Sequence, residues 1–358
     1  MREHKKITRL SKILIGFVAV IVAILLAVLL YVNFLYGKMN VESPDMVIEQ
    51  EETFEQEENA KSLTETKVED ITWNDSKTAK KSAEVVNILL AGEEAMHDDP
   101  GRGRTDSIMI VSLNKEDSVL RLTSIMRDTY VKIPGHSDNK INAAYGIGGM
   151  PLLLETIETN LDIKLDGYIL IGFDGFEQLV DYLGGIDITL SSKEAQYLNT
   201  TDYIDNYYNK RLTAGTITLN GDQALGYARV RYVSHGALVG DFGRTKRHRD
   251  IMQAIFDKFR EESLTHLLTV MPDLMTFVTT NLTRTTCVSF LTDFVSVAPN
   301  EIETFRVPID GAYKMTRVNG MSVLLPDDLK TNIMALHQFV FGKTTLAKGK
   351  NNPNMMVQ

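Results

Sequence analysis

Arginine and acidic residues stand close after short apolar runs at several points of the chain. The arginines are Arg104, Arg127, Arg229, Arg231, and Arg244 or Arg247, and the acids are Glu94, Asp106, Asp128 and Asp241. Arginine makes planar, bidentate contacts with phosphate, and carboxylates beside phosphates hold Mg²⁺. A pyrophosphate with Mg²⁺ would satisfy both sets. Spacing alone fits a scatter of surface ion pairs equally well, because such pairs are common and weak.

Two of these groups have an informative local spacing. Arg229 and Arg231 are two residues apart, so their side chains share a face if the segment is extended. Arg244, Arg247 and His248 stand at i, i+3 and i+4, which is one face at the start of a helix. Helix N-termini favour anions, so this face is a second candidate for phosphate contacts.

Several common catalytic motifs are absent from the sequence. It has no GxxxxGK[ST] loop, no GxGxxG after a strand, no HExxH and no GxSxG. Nucleotide hydrolysis by a P-loop, zinc peptidase chemistry and α/β-hydrolase chemistry therefore lose support. The single cysteine, Cys287, has no partner for a disulfide or a zinc site.

Strand and helix patterns alternate along the chain and must position these residues. Short apolar runs rich in β-branched residues predict strands at 85–91, 106–113, 118–125, 167–173, 186–190 and 302–308. Helical spacing predicts helices at 149–161, 173–185, 220–230, 244–260, 288–297 and 327–341. A polar turn at 114–117 predicts an antiparallel pair. The interleaving predicts a single α/β domain with a mixed central sheet flanked by helices.

The N-terminal region predicts a membrane anchor. Residues 13–36 are free of charge, long enough to span a bilayer, and preceded by five basic residues within 1–12. The apolar run is too long for a cleaved signal peptide and lacks its cleavage pattern. We therefore expect a cytoplasmic tail (1–12), a single-pass transmembrane helix (13–36), an acidic disordered tether (37–82), an extracytoplasmic domain (83–342) and a flexible tail (343–358).

Charge distribution argues against nucleic-acid binding. The net charge is −9, and residues 40–75 alone hold twelve acids against two lysines. The remainder is close to balance and has no basic face of the kind that a duplex requires.

Seven segments resemble the LytR–CpsA–Psr family of cell-wall polymer transferases in order and spacing. They are NILLAGEE (87–94), GRTDSIMIVSL (103–113), TSIMRDTYVKIPG (123–135), KINAAYGIGG (140–149), FDGFEQLVDYLGGIDI (173–188), LNGDQALGYARVR (219–231) and GDFGRTKRHRDIM (240–252). The resemblance implies a phosphotransferase that moves an anionic glycopolymer, of teichoic acid or capsular type, from undecaprenyl pyrophosphate onto peptidoglycan.

The resemblance also implies roles for individual residues. Those implied to bind pyrophosphate are Arg104, Arg127, Arg229, Arg231, Arg244, Arg247 and His248; those implied to hold Mg²⁺ are Glu94, Asp106 and Asp241. Arg104, Arg127, Asp128 and Asp241 are the catalytic candidates, with Asp128 or Asp241 as the base. Glu94 and His248 depart from the family pattern, which usually has aspartate and glutamine there.

Two other functions fit the same residues. A binding module for the lipid-linked polymer would keep the arginines and tolerate a weakened metal site. A lipid pyrophosphate phosphatase would use water in place of the peptidoglycan hydroxyl.

Overall fold

The computed structural model describes residues 23, 26–42, 63–71, 73, 79–93 and 105–342. A seven-stranded mixed sheet forms the centre of the domain, in the order β1-β10-β7-β2-β3-β4-β11. Its strands are β1 (Asn40–Val41), β2 (Val85–Glu93), β3 (Thr105–Asn114), β4 (Val119–Ile125), β7 (Gly167–Gly172), β10 (Val278–Thr280) and β11 (Ile302–Val307). The predicted mixed sheet is confirmed.

Both strand orientations occur within this sheet. Strands β3 and β4 run antiparallel, as the turn at 114–117 predicts, and β2 is also antiparallel to β3. Strand β7 lies parallel to β2, and β11 lies parallel to β4. The inner strands are buried along most of their length, because helices cover the sheet.

Three two-stranded sheets stand apart from the central one. They are β5 (Tyr130–Val131) with β6 (Asn139–Lys140), β8 (Ile186–Leu190) with β9 (Gly215–Leu219), and β12 (Tyr313–Val318) with β13 (Met321–Pro326). The strand predicted at 186–190 is therefore present but lies outside the central sheet. Its side chains alternate between buried and exposed, as expected for a strand with one face in solvent.

Helices pack around the sheet. Residues 26–36 are helical (α1), and the helices that follow are α2 (Ala143–Leu161), α3 (Phe173–Tyr182), α4 (Ser192–Thr200), α5 (Gly221–Arg229), α6 (Gly240–Glu261), α7 (Leu264–Leu274), α8 (Arg284–Val297) and α9 (Leu329–Phe341). Capping boxes begin α4 at Ser191 and α5 at Asn220. Helix α2 begins six residues before the predicted 149, with a kink at Gly148 and Gly149.

Two large apolar clusters support the site from different sides. One packs α2 and α9 against the central sheet, with Leu89, Ile110 and Leu153 fully buried. The other lies among α3, α4, α5, α6 and the β8–β9 pair, with Leu198 and Tyr227 at its centre. Helix α6 therefore lies between the second cluster and strand β4.

The N-terminal segments differ in part from the prediction. Among the residues described, no helix is long and apolar enough to cross a membrane. Residues 1–22, 24 and 25, which include half of the predicted anchor, lie outside the described residues, as does the tail 343–358. Within the predicted tether, Asn40 and Val41 pair with β10, and Glu65 pairs with Arg317. Those residues are ordered, because they extend existing sheet edges.

Candidate functional site

The ends of β3 and β4 bring the first two candidate residues together. Met109 of β3 pairs with Ser124 of β4 in antiparallel register. Extending this register by three residues places Asp106 opposite Arg127, just where the sheet ends. Arg127 donates a hydrogen bond from Nη1 to Asp106 Oδ1. Two residues that are 21 positions apart in the chain thus meet at one sheet edge.

The first turn of α6 completes the site. Arg127 Nε lies 3.0 Å from Asp241 Oδ2. Arg244 contacts both acids, with Nη1 at 3.1 Å from Asp106 Oδ2 and Nη2 at 3.2 Å from Asp241 Oδ1. The two guanidinium groups and the two carboxylates therefore form a closed ring, hereafter the Arg–Asp ring. Ser124, Ile125, Thr245 and His248 also line the pocket around it.

Arg231 stands at the rim of this pocket. Its Nε lies 3.4 Å from Asp241 Oδ1, and 40% of its side chain is exposed, whereas Arg244 is almost fully buried. Within the described residues, Asp241 Oδ1 is buried and accepts no hydrogen bond of good geometry, although two guanidinium groups lie within ion-pair distance. An anion entering the pocket would meet one accessible arginine, Arg231, and two arginines that acids hold in place, Arg127 and Arg244.

Electrostatics keep the two ring carboxylates ionised. Burial alone would raise the pKa of Asp106 and of Asp241, but the neighbouring guanidinium groups of Arg244 and Arg127 outweigh it and lower both pKa values. The same two acids raise the pKa of Arg127, although burial alone would lower it. All ring members are therefore charged at neutral pH, and the ring holds the guanidinium groups in place.

Asp128 differs from the ring acids. Burial, followed by a hydrogen bond shared with Asp241, raises the pKa of Asp128 to about 6. Lys140 Nζ lies 3.2 Å from its Oδ1. A carboxylate with a pKa near neutrality beside an anion pocket is suited to accept and release a proton. Lys140 was missed in the sequence, because the short β5–β6 pair that brings it to Asp128 has no clear pattern.

His248 lines the pocket as a neutral side chain. Burial and then the charge of Arg244 lower its pKa to about 4. Its Nε2 lies 3.0 Å from the carbonyl oxygen of Ala228, so the neutral ring donates there. His248 thus joins the pocket to the end of α5.

Two arginines expected in the site do not line the pocket around the Arg–Asp ring. Arg229 stacks over the rings of Phe173 and Tyr203, at 5.3 and 5.5 Å from their centroids. Arg247 is fully buried, with Nη2 at 2.9 Å from Glu194 Oε1. The helical spacing correctly puts Arg244, Arg247 and His248 on α6, but Arg247 turns toward α4 and away from the pocket.

The metal site can be tested only in part. Glu94 and Arg104 lie outside the described residues. Within the described part of the chain, no group of three or more histidine, cysteine or acidic side chains is placed to hold a metal ion. Asp106 and Asp241 nevertheless face one pocket and supply the hard oxygen ligands that Mg²⁺ takes together with phosphate oxygens. The orphaned Asp241 Oδ1 also fits a cation ligand.

The fold and the pocket together define an α/β protein with a pocket lined by arginine and acidic residues at the edge of a mixed sheet. The chain belongs to the LytR_cpsA_psr family, whose model matches residues 46–337.

Known relatives agree with this assignment. The chain is 34% identical over 242 residues to the polyisoprenyl-teichoic acid–peptidoglycan teichoic acid transferase TagU of Bacillus cereus, covering 66% of this chain and 74% of TagU. The crystal structure of B. subtilis TagV matches with a TM-score of 0.56 and 28% identity, over 73% of this chain and 98% of TagV. TagT with bound octaprenyl pyrophosphate shares the fold, with a TM-score of 0.54 and 22% identity, over 75% of this chain and 99% of TagT.

Proposed function

We propose that the protein is a phosphotransferase that moves an anionic glycopolymer, of teichoic acid or capsular type, from an undecaprenyl pyrophosphate carrier onto peptidoglycan. The observation that carries the proposal is the meeting of Arg127, Arg231 and Arg244 in one pocket. The name of TagU supports the class of reaction. The lipid bound to TagT supports the class of ligand.

The charge of the pocket suits a diphosphate. Three arginines face two ring acids, Asp106 and Asp241, so one positive charge remains before a ligand enters. Transfer from a phosphoanhydride needs neutralisation of charge that is spread over several oxygens. Guanidinium groups that the ring already holds in place supply this without reorganisation during the reaction.

Mg²⁺ would add to this neutralisation by binding phosphate oxygens. Asp106 and Asp241 are the described residues that would hold it, and Glu94 is a further candidate from the sequence.

The transfer step balances with Asp128 as the base. A peptidoglycan hydroxyl oxygen forms a bond to the phosphorus that carries the polymer, and the anhydride bond of that phosphorus breaks. The hydroxyl proton passes to Asp128, and polyprenyl phosphate leaves. With a pKa of about 6, Asp128 is mostly ionised at pH 7 and ready to accept the proton.

We also propose that residues 13–36 anchor the chain so that the catalytic domain faces outward. Their length and charge-free composition, with five basic residues on the N-terminal side, support this orientation. When a reporter enzyme that works only outside the cytoplasm is fused after residue 342, we expect it to be active. An inactive reporter would contradict the topology.

A transfer assay with full-length protein tests the function. The lipid-pyrophosphate-linked polymer and peptidoglycan oligomers are supplied with Mg²⁺, and linked product is measured. Arg127→Met should lower transfer by about 10²–10³-fold, because one charge-stabilising donor is lost. Arg260→Met is the matched control, since Arg260 lies on the exposed C-terminal part of α6 and contacts Asn300; its transfer should be unchanged.

The same assay separates the alternatives. Release of free phosphorylated polymer without linkage would identify a phosphatase. Tight lipid binding without any turnover of wild-type protein would identify a binding module. Either result would overturn the transferase proposal.

A further inference from the structure

A second pair of arginines, one on α6 and one on β11, lies outside the Arg–Asp ring. Arg249 is on α6 and is 5% exposed. Arg306 is on β11, and 12% of its side chain is exposed. Arg249 lies within the segment 240–252 that carries part of the family resemblance, whereas Arg306 lies in none of the seven segments.

Both arginines have buried donors without partners. Within the described part of the chain, Nη1 of Arg249 and Nη1 of Arg306 are buried and find no hydrogen-bond acceptor. Arg306 does pair through Nη2 with the exposed Asp310. A buried charged donor that loses water without gaining an acceptor is costly, and native proteins pair nearly all such groups.

The two guanidinium groups are neighbours and repel each other. Burial and then the positive charge of Arg306 lower the pKa of Arg249 to about 10. The negative charge of Asp250 acts to raise the pKa of Arg249, but the Asp250 carboxylate is already paired with His235 and Lys246. The local charge is therefore positive, and an anion would offset it.

Aromatic rings flank Arg306. Phe242 stacks on Tyr313, with ring centroids 5.8 Å apart, and the Arg306 guanidinium lies 4.7 Å from the Phe242 centroid. Phe242 and Arg249 are seven residues apart on α6 and so share one helix face. Apolar rings beside a guanidinium group keep water away from it and strengthen its interaction with an anion.

This face of α6 adjoins the candidate active pocket. Arg306 is in register with Ser124 of β4, so both side chains point to the same side of the sheet. Ser124 lines the pocket of the Arg–Asp ring, and its buried hydroxyl has no hydrogen-bond partner among the residues that the structure describes. Ser124 therefore lies between the two groups of arginines.

We propose that Arg249 and Arg306, with the Ser124 hydroxyl, form a second anion subsite that takes a phosphate group. A tetrahedral phosphate offers acceptors in several directions and can pair with two guanidinium forks at once. The phosphate is either a diester within a polymer chain that also reaches the Arg–Asp ring, or free inorganic phosphate. Binding at this subsite does not depend on the proposed transfer reaction.

Thermal unfolding of the full-length protein in phosphate-free buffer tests the subsite. An Arg127→Met background weakens the main pocket. Added inorganic phosphate should still raise Tm there, by about 5–10 °C at a concentration 100 times Kd. The rise should disappear when Arg306→Met or Arg249→Met is added, and it should persist with Arg260→Met, which removes a surface arginine of the same helix.

A second readout covers variants that are damaged by the substitution. Without phosphate, Arg249→Met should have a Tm equal to or above that of its background, because the repulsion between the two arginines is gone. A phosphate-dependent rise that persists in both the Arg306→Met and Arg249→Met proteins would overturn the subsite. So would a lowered Tm of Arg249→Met without phosphate.

The source of the phosphate is resolved by two titrants. If soluble poly(glycerol phosphate) raises Tm at a lower phosphate concentration than inorganic phosphate does, and the rise requires Arg306, the ligand is a polymer diester. The reverse order, with the same need for Arg306, identifies free phosphate. No response to either titrant would overturn the proposal.

Discussion

Replacing Glu194 with glutamine should destabilise the domain strongly. The Glu194 carboxylate is 1% exposed and accepts from Arg247 Nη2 at 2.9 Å and from His235 Nδ1 at 2.9 Å. Arg247 also donates to the carbonyl oxygens of Val230 and Val233, on either side of Arg231. Although burial alone would raise it, hydrogen bonds from His235 and Ser191 and the charge of Arg247 lower the pKa of Glu194 to about 2.

The magnitude follows from the burial of Arg247. Loss of one partner from a buried ion pair costs about 3–5 kcal/mol, because the other charge is left uncompensated. Glutamine keeps the size of the side chain and one acceptor, so the lower figure of about 3 kcal/mol is expected. For a domain of this size, that corresponds to a fall in Tm of roughly 6–12 °C.

The assay is denaturant and thermal unfolding, with Glu303→Gln as the control. Glu303 accepts from Arg121 Nε at 2.8 Å, but 41% of its side chain is exposed. Arg121 is buried but keeps Asp117 at 2.7 Å when Glu303 is replaced, so the loss of this half-exposed carboxylate should cost at most about 1 kcal/mol. If Glu194→Gln costs no more than Glu303→Gln, the inference that the buried Arg247 depends on the Glu194 carboxylate is refuted. Adding Arg247→Met to Glu194→Gln should recover part of the loss, since no charge then remains unpaired.

Three further predictions concern pH, packing and the pocket. Hydrogen bonds to Asp250 and Glu194 raise the pKa of His235 from 6.5 to about 9. The protonated His235 therefore stabilises the fold fully below pH 6.5, and this contribution is lost as pH rises through about 9. We expect His235→Gln to abolish this alkaline decrease in the free energy of unfolding. If the variant shows the same decrease, groups other than His235 cause it. Gly221→Ala should cost about 1–3 kcal/mol, since its Cβ would lie 2.4 Å from a backbone oxygen, whereas Gly172→Ala meets nothing within 4 Å and should be tolerated; equal unfolding midpoints would contradict this. Because the pKa of His248 is about 4, His248→Gln should leave the pH profile of transfer near neutrality unchanged, and a shifted profile would show that the histidine titrates there.

The fold was largely accessible from the sequence because its signals are local. The turn at 114–117 between two apolar runs predicts the β3–β4 pair, and the pair is present. The position of β8 was not accessible, because alternation shows that a strand has one solvent face but not which sheet it joins. The start of α2 was hidden by Gly148 and Gly149, which locally depart from helical geometry.

The site residues, too, are predictable from the sequence only where the signal is local. The place of Asp106 and Arg127 at strand ends made their meeting predictable, and the structure brings them into contact. The role of Arg247 was not, because its partner Glu194 is 53 residues away and buried in the same cluster. The raised pKa of Asp128 likewise depends on burial and on Asp241, which are properties of the folded chain.

A structure of the full-length protein with a polyprenyl pyrophosphate would show whether the Arg–Asp ring binds the diphosphate. We expect diphosphate density in contact with Arg127, Arg231 and Arg244, with the contacts of the two inner arginines to Asp106 and Asp241 rearranged around it. Diphosphate bound at another surface, with the Arg–Asp ring intact at saturating lipid, would contradict it.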